Sequence, residues 1–391
     1  MEKSISKKIY CDYNATSPLS PSVLRFLGKG EFFFQNPSAT YQQAKLARRQ
    51  INLVEDCLFE TFNLSSEEYR LFFHSGATEG MNTLILGASE LDQDFTFFYS
   101  ALDHSCVVNL VPILEKRGHT CIPLPHKDDG DLDLDQCFNV VGNVSGRKII
   151  QWTFVNNETG IVRPLSEAEQ LKNIEGVEII CDAVQSPGKT EHWRDLSSEL
   201  DSYTYSAHKF GALKGIGFTF VKDSYKFKSH IVGGGQQNGM RSGTENVLSV
   251  QTIKLAIEDL ITATEAPGFY ENQRSFKDSL EAEIKNIIQD DRCIVGEHAA
   301  VRNINTISFV APKTQANILM MSFDAAGLEV SSGSACSSGA NIPSRILGHL
   351  NYDRKQSMAG IRLSFCPSVS EEEKQQIKTS VTEVLRKFYP L

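Results

Sequence analysis

A lysine just past a strand can do chemistry that a lysine on a helix face cannot. In Ser206-Ala207-His208-Lys209, the lysine lies between the apolar and hydroxyl run Tyr203-Thr204-Tyr205 and the glycine-containing stretch Lys214-Gly215-Ile216-Gly217. At a strand end facing a cleft, desolvation lowers an amine's pKa and frees it to form a Schiff base. His-Lys is also a common dipeptide, and alone it reads first as a solvated lysine. Twenty-seven residues upstream, however, the apolar run Val177-Glu178-Ile179-Ile180-Cys181 ends in Asp182. A carboxylate at a strand end keeps a pyridinium nitrogen protonated and its ring an electron sink. Lys209 and Asp182 together nominate a site for pyridoxal 5'-phosphate.

The elements that would position such a site follow from periodicity. Leu71-Phe72-Phe73 runs into Ser75-Gly76-Ala77-Thr78-Glu79-Gly80, and Met81, Leu84 and Ile85 continue at helical spacing. A strand, a small-residue turn and a helix start place free N–H groups of Gly76, Ala77 and Thr78, with the positive dipole end, where a phosphate can sit. An ordinary βα turn has the same pattern. Phe95-Thr96-Phe97-Phe98-Tyr99, a helical stretch past Val107 and Leu114, and Lys148-Ile149-Ile150-Gln151-Trp152-Thr153 then alternate, which indicates βαβ units and a mostly parallel sheet. His104 follows one strand, either as a solvated or structural loop residue or as a ring over a cofactor. Asn156-Asn157-Glu158-Thr159-Gly160 closes another strand with amide donors. Ligands of open α/β sheets bind at this edge.

One cysteine has unusual surroundings. Ser331-Ser332-Gly333-Ser334-Ala335-Cys336-Ser337-Ser338-Gly339 has no apolar periodicity to bury it, and suits either a loop that carries a thiol to a site or a plain Ser/Gly linker. The nine cysteines contain no Cys-x-x-Cys, and the closest pair, Cys106 and Cys121, is 15 residues apart. That argues against a zinc knuckle and a secreted disulfide framework.

Other stretches are simpler. Tyr10 to Thr16 reads as a short strand into a turn, and a packing helix is expected from about Ser38 to Phe62 through Leu46, Ile51, Val54 and Leu58. Gly233 to Thr244 is glycine-rich, with Arg241 and hydroxyls suited to a phosphate or a neighbouring subunit. Ala266-Pro267-Gly268 separates two helical stretches, and Ser370 with Glu373 caps a last helix facing inward through Ile377, Val381, Leu385 and Phe388. With 391 residues, 41% apolar and 22% charged, the chain can bury a large core. No stretch approaches the length of a membrane span, the N-terminus lacks a signal-peptide apolar region, and a cytoplasmic location is expected. The net charge of −9 disfavours general polyanion binding, so no direct nucleic-acid contact is expected.

Taken in order, these markers resemble the NifS/IscS-like cysteine desulfurases, in the class V aminotransferase group of fold-type I pyridoxal phosphate enzymes. The likeness spans essentially the whole chain, adding Asn36-Pro37-Ser38, Asp182 to Ser186, Arg241 to Thr244 and Arg362-Leu363-Ser364 to the motifs above. It implies that Lys209 holds the cofactor, Asp182 its ring nitrogen and Gln185 its ring hydroxyl, with His104 stacked on the ring. Thr78, Ser206 and His208 would bind the phosphate, joined by Thr244 from a second subunit. Asn157 and Arg362 would grip the carboxylate of L-cysteine, and Cys336 would take its sulfur as a persulfide for a protein acceptor.

The same resemblance implies an α/β fold with a mostly parallel seven-stranded sheet in a large domain, residues 20–262. A small α+β domain would come from residues 1–19 and 263–391, and the active form would be a homodimer. Tyr13, Tyr41, Gly211-Ala212-Leu213 and Cys366 depart from the family's usual residues, and none removes a group with a named chemical role. A selenocysteine lyase, a β-eliminating lyase and a non-catalytic sulfur-relay scaffold are the rival readings. Intact Lys209, Asp182, His104 and Cys336 favour the desulfurase.

Overall fold

Runs of aromatic and β-branched residues form the strands, as β propensity directs. The computed structural model describes residues 8–91, 93–333 and 342–390. Cys336 lies outside the described residues. The strands are β1 (Ile9–Tyr10), β2 (Tyr69–His74), β3 (Phe95–Ser100), β4 (Thr120–Leu124), β5 (Arg147–Thr153), β6 (Val177–Asp182), β7 (Ser202–Ser206), β8 (Gly217–Lys222), β9 (Thr306–Val310), β10 (Leu328–Glu329) and β11 (Gly360–Ser364). Among the described residues one sheet has seven strands in the order β2-β8-β7-β6-β5-β3-β4. Strand β8 runs antiparallel to both its neighbours, and the other pairings are parallel. This is the mostly parallel α/β sheet that the sequence leads one to expect.

The sheet is buried on both faces, as parallel sheets are. Phe98, Ile150, Trp152, Ile179 and Cys181 point into one core. Their neighbours Phe97, Ile149 and Ile180 point into another. A further core joins Ile9 and Cys11 to residues from Phe276 to Tyr389, around the pair β9–β11. Strand β1 reaches it by pairing with β10.

Two expectations about helices need correction. The helix expected from Ser38 begins at Gln42 and runs to Phe62. Asn36 Oδ1 accepts from Ser38 N–H at 2.9 Å, holding that stretch as a turn, which is the usual competition of asparagine with helix. Leu46 is 36% exposed, and the inward face runs through Ala44, Ala47, Ile51, Val54, Leu58 and Phe62. The last helix, Glu371–Phe388, matches the reading: Ser370 Oγ accepts from Glu373 N–H, and the Glu373 carboxylate accepts from Ser370 N–H. Ala266-Pro267-Gly268 lies between the helices Val247–Thr264 and Phe269–Ile288, with Gly268 at φ +72°. Among the described residues no helix is long and apolar enough to cross a membrane.

Candidate active site

Strands β2, β3, β5, β6 and β7 share one direction, so the loops after them gather at one sheet edge. Four of the sequence-nominated groups stand there on successive strand ends. Strand β6 ends on Asp182, whose register partners are Thr153 on β5 and Thr204 on β7. Strand β7 ends on Ser206 and passes directly into a 3₁₀ turn, Ala207–Lys209, that carries the lysine. His104 caps a short helix after β3, and Asn157 follows β5.

Asp182 is 7% exposed, and its Oδ1 accepts from Val184 N–H at 3.0 Å. Burial pushes its carboxyl up to about 6, against the pull of the Val184 N–H; the nearby Asp103 adds to the rise and Lys209 opposes it. A cationic ring nitrogen would supply the counter-charge that burial withholds. The Lys209 amine donates to the carbonyls of Asn14, at 2.7 Å, and Ala15, at 2.8 Å. The N-terminal segment lies across the lysine turn, since Ser17 donates to Lys209 O and His208 O.

His104 Nδ1 accepts from Cys106 N–H at 3.1 Å, which leaves Nε2 to carry the proton of the neutral ring. Burial, then Lys209 and Arg345, push its pKa down to about 4. Arg345 also donates to the carbonyls of Ala101 and Asp103, clamping the loop that ends in His104. Beneath that loop the buried Asp103 accepts from Ser100 N–H at 2.7 Å and Thr153 Oγ1 at 2.8 Å, and pairs with Arg163 at 3.4 Å.

The same edge carries a helix start, Ala77–Ala88, preceded by Gly76, where an anion could sit. A Cβ on Gly76 would lie 3.5 Å from Ser206 Oγ, so that hydroxyl faces the helix start. Glu79, in its first turn, accepts from Ser75 N–H at 2.8 Å and from Arg241 Nε at 3.0 Å, so its negative charge is already matched. His208 shares a 3.0 Å hydrogen bond with Thr16 Oγ1; burial and then Lys209, Lys214 and Lys189 push it down to about 4. A neutral His208 can serve an anion as a hydrogen-bond donor. Thr244 is exposed on its loop and is joined to these groups by no hydrogen bond among the described residues.

At the other end, the buried Arg362 pairs with Asp12 at 2.6 Å and donates to Asn157 O at 3.2 Å. Its Nε is buried and has no hydrogen-bond partner among the described residues, so the fork keeps a donor that a carboxylate would match. A strand-end amine, a carboxyl short of counter-charge, a helix start and this guanidinium donor fit pyridoxal phosphate carrying an amino acid.

Sequence reasoning passed over the residues that tie these groups together. Asn14 Nδ2 donates to Asn157 O and Thr306 Oγ1, its carbonyl accepts from Lys209 and Gln185, and its Oδ1 accepts from Lys189. Asn14 sits within the Tyr10 to Thr16 stretch with no chemical signal of its own, and Lys189 and Arg345 carry no local signal, because a lysine or arginine reads by default as solvated.

The sequence profile of the family described as Aminotransferase class-V matches residues 9–377. A protein named cysteine desulfurase IscS from Clostridium botulinum is 26% identical over 388 residues, covering 98% of this chain and 95% of its own length. A cysteine desulfurase from a Nostoc species is 28% identical over 394 residues, covering 98% of this chain and 94% of its own. Among solved structures, a NifS-like protein superposes with a TM-score of 0.85 at 23% identity, over 97% of this chain and 100% of that one. At that identity the likeness speaks for the fold alone.

Proposed function

Because the chain belongs to the aminotransferase class-V family, we propose that it is a cysteine desulfurase holding pyridoxal phosphate on Lys209 and passing sulfur from L-cysteine to Cys336. The observation that carries the reading is the placement of the Lys209 amine and the buried, counter-charge-poor Asp182 on neighbouring strand ends. Relatives named cysteine desulfurase along the whole chain support the choice of substrate.

When bound, the cofactor supplies an electron sink for the bonds of the amino acid attached to it. Asp182 would hold the ring nitrogen, whose positive charge would offset the burial of its carboxylate. Gly76, Ala77 and Thr78 at the helix start, with Ser206 and His208, hold the phosphate, and Thr244 of a second copy completes it in a homodimer. Arg362, kept in place by Asp12 and the Asn157 carbonyl, takes the substrate carboxylate. Lys209, once released to its amine, moves the α-proton, and the Asn14 and Ala15 carbonyls stand ready to receive its hydrogens. Neutral His104 carries its proton at Nε2 and would offer it to the cofactor or substrate.

In the transfer itself, the Cys336 sulfur bonds to the substrate sulfur and the substrate carbon–sulfur bond breaks. The electron pair of that bond and a proton end on the carbon that becomes the methyl group of alanine. The protein is left with a persulfide, which a protein acceptor takes. Support by contrast comes from the eight described free cysteines: burial pushes seven of them, Cys11, Cys57, Cys106, Cys121, Cys137, Cys181 and Cys293, above their ordinary range. Thiols held protonated are poor nucleophiles.

The deciding experiment compares wild type with Cys336→Ser. Wild type should release one alanine per cysteine consumed and carry a protein persulfide, and the variant should bind the cofactor yet yield almost no alanine. Sulfide release at the wild-type rate from the variant would transfer the protein to the eliminating lyases.

A further inference from the structure

Behind the ring-hydroxyl residue lies a lysine that the mechanism above does not use. Lys189 follows Gln185 by four residues, in a turn where Ser186 N–H bonds Ala183 O and Lys189 N–H bonds Ser186 O. It is 2% exposed, an extreme burial for a lysine. Its Nζ donates to two side-chain carbonyl oxygens, Gln185 Oε1 and, at 3.2 Å, Asn14 Oδ1. Gln185 Nε2 in turn donates to the Asn14 carbonyl at 2.9 Å.

These contacts fix which end of the Gln185 amide is which. The Asn14 backbone carbonyl can only accept, so Nε2 must face it and the amide oxygen faces the Lys189 amine. Nε2 then has one hydrogen on the Asn14 carbonyl and a second to spend elsewhere. A glutamine free to turn over could present its oxygen to the ring, where it would repel an ionised ring oxygen. With its oxygen engaged by the Lys189 N–H, the amide is also polarised into a better donor. Burial, with Lys209 and Arg362 close by, holds the Lys189 pKa well below its ordinary value, so the site tolerates this amine for its contacts rather than for solvation.

We propose that Lys189 is a positioning residue for the cofactor: by taking the carbonyl oxygen of Gln185, it makes that side chain a donor to the ring hydroxyl oxygen. The inference rests on the reading of Lys209 and Gln185 as cofactor contacts, and deepens it.

The test separates the two. Apoprotein of the full chain is titrated with pyridoxal phosphate and with an analogue carrying hydrogen in place of the ring hydroxyl, and the two dissociation constants are compared. Wild type should prefer pyridoxal phosphate by about tenfold or more, the range for a hydrogen bond to a charged oxygen. In Lys189→Met the preference should shrink to less than about threefold. Because the ratio is taken within one variant, a general loosening of the site cancels from it. Lys189→Gln, which can accept as well as donate, should lose the preference in the same way and carries the test if the methionine variant does not fold. An undiminished preference in a folded variant overturns the role of Lys189. Failure of wild type to bind either compound overturns the cofactor reading itself, and this inference with it.

Discussion

The two ends of the central sheet carry similar residues and treat them differently. At the end opposite the site, Asp201 accepts from Lys172 at 2.5 Å and from Ile179 N–H at 2.6 Å. Arg147 pairs with Glu178 at 2.7 Å, and Lys148 donates to the Glu175 carbonyl at 2.7 Å. Both carboxylates named at that end, Asp201 and Glu178, have a cation built in. At the site end, the buried Asp182 accepts from a backbone N–H and forms no ion pair among the described residues. A carboxylate with its cation built in holds strands in register; a buried one without a cation, such as Asp182, suits a ligand that brings one.

That contrast can be broken most decisively at Lys209. Lys209→Ala should lose the visible cofactor absorbance and reduce cysteine turnover by about 10³-fold or more. An unchanged spectrum would erase the distinction between the two ends. Next comes Asp182→Ala, which should slow exchange of the cysteine α-proton about 10²–10³-fold while still binding cofactor. Exchange in deuterated water, followed by proton resonance, reads it; wild-type exchange would remove Asp182 from its role.

The opposite end supplies the control. Asp201→Ala strands Lys172 and the Ile179 N–H, and should cost about 3 kcal/mol of stability in urea unfolding. Its visible spectrum at saturating cofactor should be unchanged. A variant that lost the chromophore while keeping full stability would place catalytic weight at the wrong end of the sheet.

A smaller effect concerns acid. Burial is the first cause that pushes His74, His104 and His208 down to about 4 and His126 to about 3, from an ordinary 6.5. Below pH 6.5 the unfolded chain binds protons that the native one refuses, so stability falls as pH drops from 6.5 towards 4. Asp182, raised from 3.8 to about 6, runs the other way, because between those values the native state holds the extra proton. Burial likewise pushes Glu55 and Glu158 up to about 7, so the histidine contribution is read as the difference between wild type and a histidine variant, not from the wild-type curve alone. Relative to wild type, His104→Gln should gain about 2 kcal/mol between pH 7 and pH 4 in urea unfolding of the apoprotein, and no gain would contradict the burial of this ring.

What was legible in the sequence was local. Lys209 and Asp182 could be read because each stands at or just past the end of a strand whose side chains announce it. Ser370 and Glu373 could be read because a capping box closes within one helical turn. Leu46 was misassigned because several helical faces fit the same short run of apolar residues, and packing against the rest of the chain chooses among them. The Asn14 network was illegible for a different reason. Its hydrogen bonds join residue 14 to residues 157, 185, 209 and 306, and no spacing rule reaches across such intervals. Arg362 could be nominated through its motif, but its ion pair with Asp12 belongs to the folded chain alone.

The central claim is that the Asp182 end of the sheet is the cofactor site and that Lys209 is its attachment point. Borohydride reduction of the cofactor-loaded protein, followed by proteolysis and mass spectrometry, tests it most directly by fixing the cofactor to the lysine that holds it. The account predicts a pyridoxyl group on Lys209 and on no other lysine at stoichiometric yield. A label on Lys189, or on Lys148 or Lys172 at the opposite end, would contradict it.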